Sequence, residues 1–393
     1  MQMSSDNKVA ESTPCFDSGS LFKWWFNPSM LVRNLNHKLT NTTPVVVVGS
    51  GTCSGDGMKA FVKAATKKLI YFSYRNCFPP LPNGSTTDTG WGCLVRTTQM
   101  LVGTCLLRYY CKGAYPLPET PNAELKERIS RLFMDAPSAP LGIHRVEGEA
   151  HKNRVQYASM LSPTEAGLAM GAALIAFHST GGDVPFTFCC ESRNIDEPAV
   201  MAKLSEGQHV ILIIPAVLGL SPLSDKYERM MLEILDMRAC CGIAGGLRRA
   251  SLYMFGHQGR NVFFMDPHYV QKAYTSDRTV GKIEGARGHL TAGKVDPCMV
   301  LGFYLHTPED YKIFAEELAV INELVLFPLI SISRQHNEGT TVSEDGAVSV
   351  TENEENITLN EKEEPPQSLN PLVIGEECTR SSNSNATQLA VVP

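Results

Sequence analysis

Asp88-Thr89-Gly90-Trp91-Gly92-Cys93-Leu94-Val95-Arg96 is the stretch on which the reading of this chain turns. Two glycines let the backbone turn tightly just ahead of Cys93. From Cys93 to Tyr110 the apolar residues recur at helical spacing, with Leu94, Leu101, Val102, Cys105 and Tyr109 on one stripe. The pattern predicts a long amphipathic helix whose first turn begins at a cysteine. A helix N-terminus carries unpaired N–H groups and partial positive charge, which favour thiolate over thiol. The same N–H groups can hold an oxyanion when a carbonyl is attacked. A buried structural thiol is the plainer alternative, because helix position alone only tunes acidity and eleven other cysteines share the chain.

A base tips that balance. Val262-Phe263-Phe264-Met265-Asp266-Pro267-His268 reads as a strand that ends in Asp-Pro-His. Alternate residues of a strand share a face, so Asp266 and His268 point the same way, and the carboxylate can orient the imidazole and fix its tautomer. Pro267 fits only where the ladder ends. Taken alone, Asp-Pro-His could be a strand-ending turn. Far downstream of a helix-first cysteine, it completes a papain-type dyad with its orienting carboxylate. Two other histidines lack such a context. His257, in Gly256-His257-Gln258-Gly259, reads as a solvent-facing residue of a hairpin turn, and His178 as a helix-boundary residue.

Around this pair, helix and strand periods alternate. Pro44–Gly49 reads as a buried strand, Met58–Tyr71 as a helix, Thr164–Phe177 as a small apolar helix and His209–Ile214 as a central strand. Asp225–Met237 and Glu309–Leu318 read as helices; Leu252–Phe255, Val262–Asp266 and Val300–Leu305 read as strands. Helices gathered early and strands gathered late predict an α+β fold rather than a doubly wound sheet. Gly49-Ser50-Gly51-Thr52-Cys53-Ser54-Gly55 lies where a dinucleotide fingerprint belongs, but its third glycine comes one residue late and Lys67-Lys68 stands where the acidic partner is needed. It reads as a flexible strand-to-helix turn.

Composition narrows the function classes. A 393-residue chain with 43% hydrophobic residues supports a substantial core, and a net charge of −6 gives no basic footprint for nucleic acid. The N-terminus has neither a basic nor an apolar signal segment, and Val210–Leu220 is too short to span a bilayer and contains Pro215. Twelve cysteines without an export signal are expected to be mostly reduced, buried thiols in a cytoplasmic protein. No Cys-x-x-Cys pair occurs, so no metal site or cofactor is expected. Residues 1–19 are polar and Ser-rich and read as a flexible segment, and residues 20–333 as the folded domain. Residues 334–393, rich in Glu, Asn, Ser and Thr and without an aromatic after Arg334, read as a disordered acidic tail.

The motifs together resemble the autophagy-related cysteine endopeptidases, the autophagins. The resemblance is carried by Tyr71-Phe72-Ser73-Tyr74-Arg75-Asn76-Cys77-Phe78-Pro79, by Thr87–Cys93 with Arg96 and Gln99-Met100-Leu101, by Phe264–His268 with Gln271, and by Asp296-Pro297 through Gly302-Phe303. It implies a papain-like fold with a small additional subdomain. It implies cleavage after the C-terminal glycine of a ubiquitin-like autophagy modifier of the GABARAP type, both in its precursor and when conjugated to phosphatidylethanolamine, with transient contact at the membrane surface. By match, Cys93 is the nucleophile, His268 the general base and acid, Asp266 the orienting carboxylate, and Tyr74 a hydroxyl that helps the Cys93 N–H hold the oxyanion. Trp91 would flank a narrow channel for the substrate's glycine. Two positions depart from the family: a substrate-clamping tryptophan is matched by Met160, and a modifier-binding arginine by Val217. The departures keep open a peptidase for another ubiquitin-like protein and a scaffold that binds such a protein without turnover.

Overall fold

The computed structural model describes residues 39–118, 123–275 and 287–334. The flexible N-terminal segment expected over 1–19 lies outside the described residues, as does the acidic tail beyond Arg334. Of the folded domain expected over 20–333, residues 20–38 also lie outside them.

The chain first forms β1 (Val45–Val47), β2 (Gly51–Cys53), α1 (Met58–Lys68), β3 (Arg75–Asn76), the long helix α2 (Cys93–Tyr110), α3 (Ala123–Arg131), α4 (Ile143–Lys152) and α5 (Pro163–Ser179). Then come β4 (Phe186–Cys189), β5 (Asn194–Asp196), α6 (Glu197–Ser205), β6 (Val210–Val217), α7 (Asp225–Asp236), β7 (Cys240–Leu247), β8 (Ala250–Gln258) and β9 (Asn261–Met265). The last elements are β10 (Gln271–Lys272), β11 (Arg287–Thr291), β12 (Asp296–Leu305), α8 (Pro308–Asn322) and β13 (Ser331–Ser333). The architecture is α+β, as the order of periods predicts.

One sheet carries the strand order β11-β9-β8-β7-β12-β6-β4, and β1 joins its path by pairing with β8. Every pairing along it is antiparallel except β4 with β6. The glycine-rich stretch after β1 is not a strand-to-helix turn. It closes a hairpin in which Val45 pairs with Cys53 and Val47 with Gly51, and helix α1 starts only after a second turn.

Helix α2 fills the residues expected of it, but it is not amphipathic. Cys93 through Arg108 are all buried, because β7, β8 and β12 pack on one side and α3 and α5 on others. A helix enclosed all round needs its polar groups satisfied inside. The Thr97 hydroxyl meets that of Ser251 at 2.7 Å, and Thr104 meets the Tyr253 hydroxyl at 2.7 Å. Thr98 donates to the Leu94 carbonyl at 2.8 Å. Close approach to the sheet relies on Gly302 of β12, where an added Cβ would stand 2.2 Å from Leu101 Cδ2. Each large apolar side chain so buried contributes about 1.5–3 kcal/mol, which anchors the first turn of α2 against the sheet.

Helix α5 is set by its sequence ends. Ser162 and Glu165 form a reciprocal capping box and Pro163 occupies the first turn, so the helix starts one residue ahead of the expected Thr164. His178 closes its last turn, with Nδ1 on the Val184 carbonyl at 2.9 Å. His257 departs from expectation. It lies inside β8 at 8% exposure, with Nε2 2.9 Å from Asp236 Oδ1, and the hairpin turns one residue later. Nine cysteines among the described residues are free thiols, whereas Cys77 is disulfide-bonded. No helix among the described residues is long and apolar enough to cross a membrane.

Candidate active site

Gly92 precedes the first residue of α2, and its lack of a side chain is required: an added Cβ would lie 2.6 Å from Asp88 Cβ. Gly90 takes φ +90°, a left-handed conformation that glycine adopts without strain. The turn is closed by the Gly92 N–H on the Asp88 carbonyl at 2.9 Å, and the Trp91 indole donates to the Thr87 carbonyl at 3.0 Å. Cys93 therefore occupies the first helical turn, where N–H groups lack intrahelical acceptors.

Behind the turn sits a buried ionic network. Arg96 donates to Asp88 Oδ2 at 2.6 Å and to Gln99 Oε1 at 3.1 Å. Its Nη2 pairs with Asp135 Oδ1 at 2.8 Å, close as an ion pair though poorly directed for a hydrogen bond. Asp88 Oδ1 accepts the Arg75 N–H at 2.5 Å, and Asp135 Oδ2 accepts that of Tyr274 at 2.7 Å. These bonds tie α2, the 71–76 segment and the 271–274 segment to one another.

The same two segments deliver the imidazole. Lys272 of β10 lies beside Asn76 of β3 in parallel register. The Tyr74 N–H donates to the Pro267 carbonyl at 2.8 Å, Gln271 N–H to the Tyr74 carbonyl at 2.9 Å, and the Tyr71 hydroxyl to the Asp266 carbonyl at 2.6 Å. Asp266 and His268 follow β9 directly, as expected of a strand-ending Asp-Pro-His. Asp266 Oδ1 accepts both the His268 backbone N–H at 3.0 Å and Nδ1 at 2.5 Å. This fixes the ring and leaves Nε2 without a hydrogen-bond partner among the described residues, while the Cys93 sulfur acts on the ring electrostatically. Tyr74 stands edge-on to that ring, with centroids 5.3 Å apart and planes at 86°, and burial together with the charge of Cys93 pushes its hydroxyl up.

The electrostatics follow from these contacts. Burial pushes the Cys93 thiol up, but the hydrogen bond and charge of His268, the Ser251 backbone N–H and the Tyr74 hydroxyl outweigh it and hold the thiol below its ordinary range. Burial works against a charged His268, yet the Asp266 bond and the Cys93 sulfur push it up to about 9. One group acidified and its partner made more basic describe a thiolate–imidazolium pair. Such a pair can attack a carbonyl and return the proton to a leaving amine. The resting site is covered: Cys93 is 2% exposed and His268 8%.

The structure thus gathers Cys93, His268, Asp266 and Tyr74, residues expected together from sequence. Trp91 joins them through the turn, half-buried, whereas Met160 stands 40% exposed on the loop between α4 and α5, and Val217 52% exposed at the end of β6. Sequence reasoning missed Ser251 and Asp135. Nothing in their local sequence marks either one, because each reaches the site through pairing distant along the chain. No group of three or more His, Cys, Asp and Glu residues placed to hold a metal ion occurs among the described residues.

Comparison with known proteins bears on this geometry. The Peptidase C54 catalytic domain matches residues 58–317, well over half of the chain and all of the site. A "Probable cysteine protease atg4" of Schizosaccharomyces pombe is 29% identical over 255 residues, covering 63% of this chain and 73% of that protein. A "Probable cysteine protease ATG4" of Meyerozyma guilliermondii is 27% identical over 348 residues, 78% and 79% of the two chains. "Cysteine protease atg-4.2" of Caenorhabditis elegans is 31% identical over 219 residues, of which this chain covers 42% of the relative's length. With a papain-like α+β fold and a matched catalytic domain, the chain belongs to the peptidase C54 family, the autophagy-related cysteine proteases.

Proposed function

We propose that this protein cleaves the bond after the C-terminal glycine of a ubiquitin-like autophagy modifier of the GABARAP type, in the modifier's precursor and in its conjugate with phosphatidylethanolamine. The observation that carries the reading is the Cys93–His268–Asp266 alignment at the start of α2, in a chain of this family.

In the proposed reaction the Cys93 thiolate attacks the glycine carbonyl carbon. The resulting oxyanion takes hydrogen bonds from the Cys93 N–H at the helix start and from the hydroxyl of Tyr74, which precedes β3. The His268 imidazolium gives its proton to the departing nitrogen, the C–N bond breaks, and a thioester remains. Water, deprotonated by the now neutral His268, attacks the thioester and restores the thiolate and the imidazolium. Asp266 holds the ring in the required tautomer throughout. Glycine on the acyl side suits a narrow entry beside Trp91, with Met160 on the neighbouring loop as the side chain against the substrate's tail. Because the sulfur is covered at rest, binding has to displace the side chains over it. A cytoplasmic site of action and transient contact with a membrane surface belong to the same reading.

The test pairs wild type with Cys93→Ala on a tagged modifier precursor carrying residues beyond its glycine, and on the lipid-conjugated form in vesicles. Trimming and release by wild type, both lost with the alanine, are expected. Activity that survives the substitution, or a wild type that trims only unrelated ubiquitin-like precursors, overturns the proposal.

A further inference from the structure

Glu147 is a core carboxylate with no part in the chemistry above. It is 1% exposed on α4, its Oε2 accepts the Ala158 backbone N–H at 2.8 Å, and its Oε1 is buried with no hydrogen-bond partner among the described residues. A buried carboxyl is costly unless it is bonded, so what it holds is informative.

It holds a strained loop. Ala158 takes φ +59° and Arg154 φ +66°, a left-handed conformation that strains a residue with a Cβ. Two other contacts fasten the same loop: Asn83 Nδ2 donates to the Tyr157 carbonyl at 3.0 Å, and the His151 ring stacks on Tyr157 with centroids 4.2 Å apart. Two residues past Ala158 stands Met160, and the loop then enters the capping box of α5. The Asn83 bond ties the loop to the segment that runs on through Thr87 into Asp88 and the Cys93 turn. Burial, opposed by the Ala158 N–H and reinforced by the charge of Asp88, pushes the Glu147 carboxyl up to about 7. Gln99, itself held by Arg96, donates to the Leu141 carbonyl just ahead of α4 at 2.9 Å, which ties the helix carrying Glu147 to the start of α2.

We propose that Glu147 is a positioning residue that sets the Tyr157–Met160 loop against the Cys93 turn, and thereby governs how the substrate's tail is held without touching the reacting atoms. The inference rests on the proposed function for its substrate, and on geometry alone for the loop. It separates binding from chemistry. Loosening the loop raises KM, while the thiolate, imidazolium and oxyanion donors stay in place and kcat persists.

The experiment compares wild type, Glu147→Ala, Glu147→Asp and Glu147→Gln, after thermal melts establish that each is folded. Steady-state kinetics use the same modifier precursor, and amide hydrogen exchange is read at Ala158. Loss of a hydrogen bond to a carboxylate should raise KM about tenfold in Glu147→Ala, with kcat within about twofold. Glu147→Gln, whose carboxamide oxygen can accept the same N–H, should recover most of the affinity. Glu147→Asp, one methylene short, should resemble the alanine and serves if the alanine does not fold. Ala158 exchange should quicken in the alanine and aspartate variants and stay slow in the glutamine variant. A fall in kcat at constant KM, a glutamine variant as impaired as the alanine, or unchanged Ala158 exchange overturns the inference. Wild-type turnover of the precursor reports separately on the proposed function, and the exchange measurement needs no substrate.

Discussion

Two buried charged clusters lie back to back at the start of α2, and they are built differently. In one, Arg96 is shared between Asp88, Asp135 and Gln99, and each carboxylate also accepts a backbone N–H. In the other, Asp266 accepts both of its hydrogen bonds on one oxygen, while Asp266 Oδ2 and His268 Nε2 have no hydrogen-bond partner among the described residues; the framework atoms without a directed hydrogen bond, Arg96 Nη2 and Asp135 Oδ1, instead face each other as an ion pair at 2.8 Å. A charge network with many partners is stiff and unreactive; one with open valences can act on a guest. The first cluster fixes the frame, and the second is left to work within it.

Substitutions can break this contrast. The largest effect is expected at the sulfur: Cys93→Ala should lower kcat by about 10⁶-fold while leaving the thermal midpoint almost unchanged, as paired kinetics and melting would show. Asp266→Ala should lower kcat by about 10²–10⁴-fold. His268 is held at about 9 against an ordinary 6.5, chiefly through Asp266, so the high-pH limb of kcat/KM should lie near 9 in wild type and move to lower pH in the variant. The imidazolium's contribution to stability is likewise fully present below about 6.5 and lost as pH rises through about 9.

The framework cluster should answer in the opposite currency. Arg96→Leu leaves Asp88 and Asp135 buried without their cation and should cost about 3–5 kcal/mol of stability, read by denaturant unfolding. A variant that melts like wild type but has lost activity would erase the distinction between the clusters. The smallest effect is expected at Tyr74. Tyr74→Phe keeps the ring against His268 and removes one donor, so kcat should fall about 10²-fold with little change in KM.

How far the sequence foretells this depends on how local the cause is. Cys93–Tyr110 was legible as a helix to the residue, because Gly92 and the apolar repeat are neighbours in the chain. That the helix is enclosed on all sides was not, since the distant partners of Thr97, Thr104 and Arg96, namely Ser251, Tyr253 and Asp135, leave no mark in the local sequence. The strand Cys240–Leu247 escaped notice because Gly242, Gly245 and Gly246 weaken every strand signal. In Gly245 the missing side chain makes room for Met299, whose Cβ would stand 2.8 Å from an added one. His257 was misplaced for a similar reason, as its partner Asp236 sits on α7 and leaves no trace beside it. Asp266 and His268, two residues apart at one strand end, read alone as a turn, and Cys93 alone as a structural thiol; only the two motifs taken together pointed to the chemistry. Glu147 looked like an ordinary helix carboxylate, because burial is not a local property.

The central claim is that Cys93 rests as a thiolate beside a protonated His268. It is tested most directly by the pH dependence of Cys93 alkylation by iodoacetamide, followed by mass spectrometry of the peptide carrying it, in wild type and His268→Ala. Wild type should show an inflection below the ordinary thiol value of 9.0, and the variant should lose it and react only at higher pH. A wild-type profile that rises only near 9, or one indifferent to the loss of His268, would contradict the account.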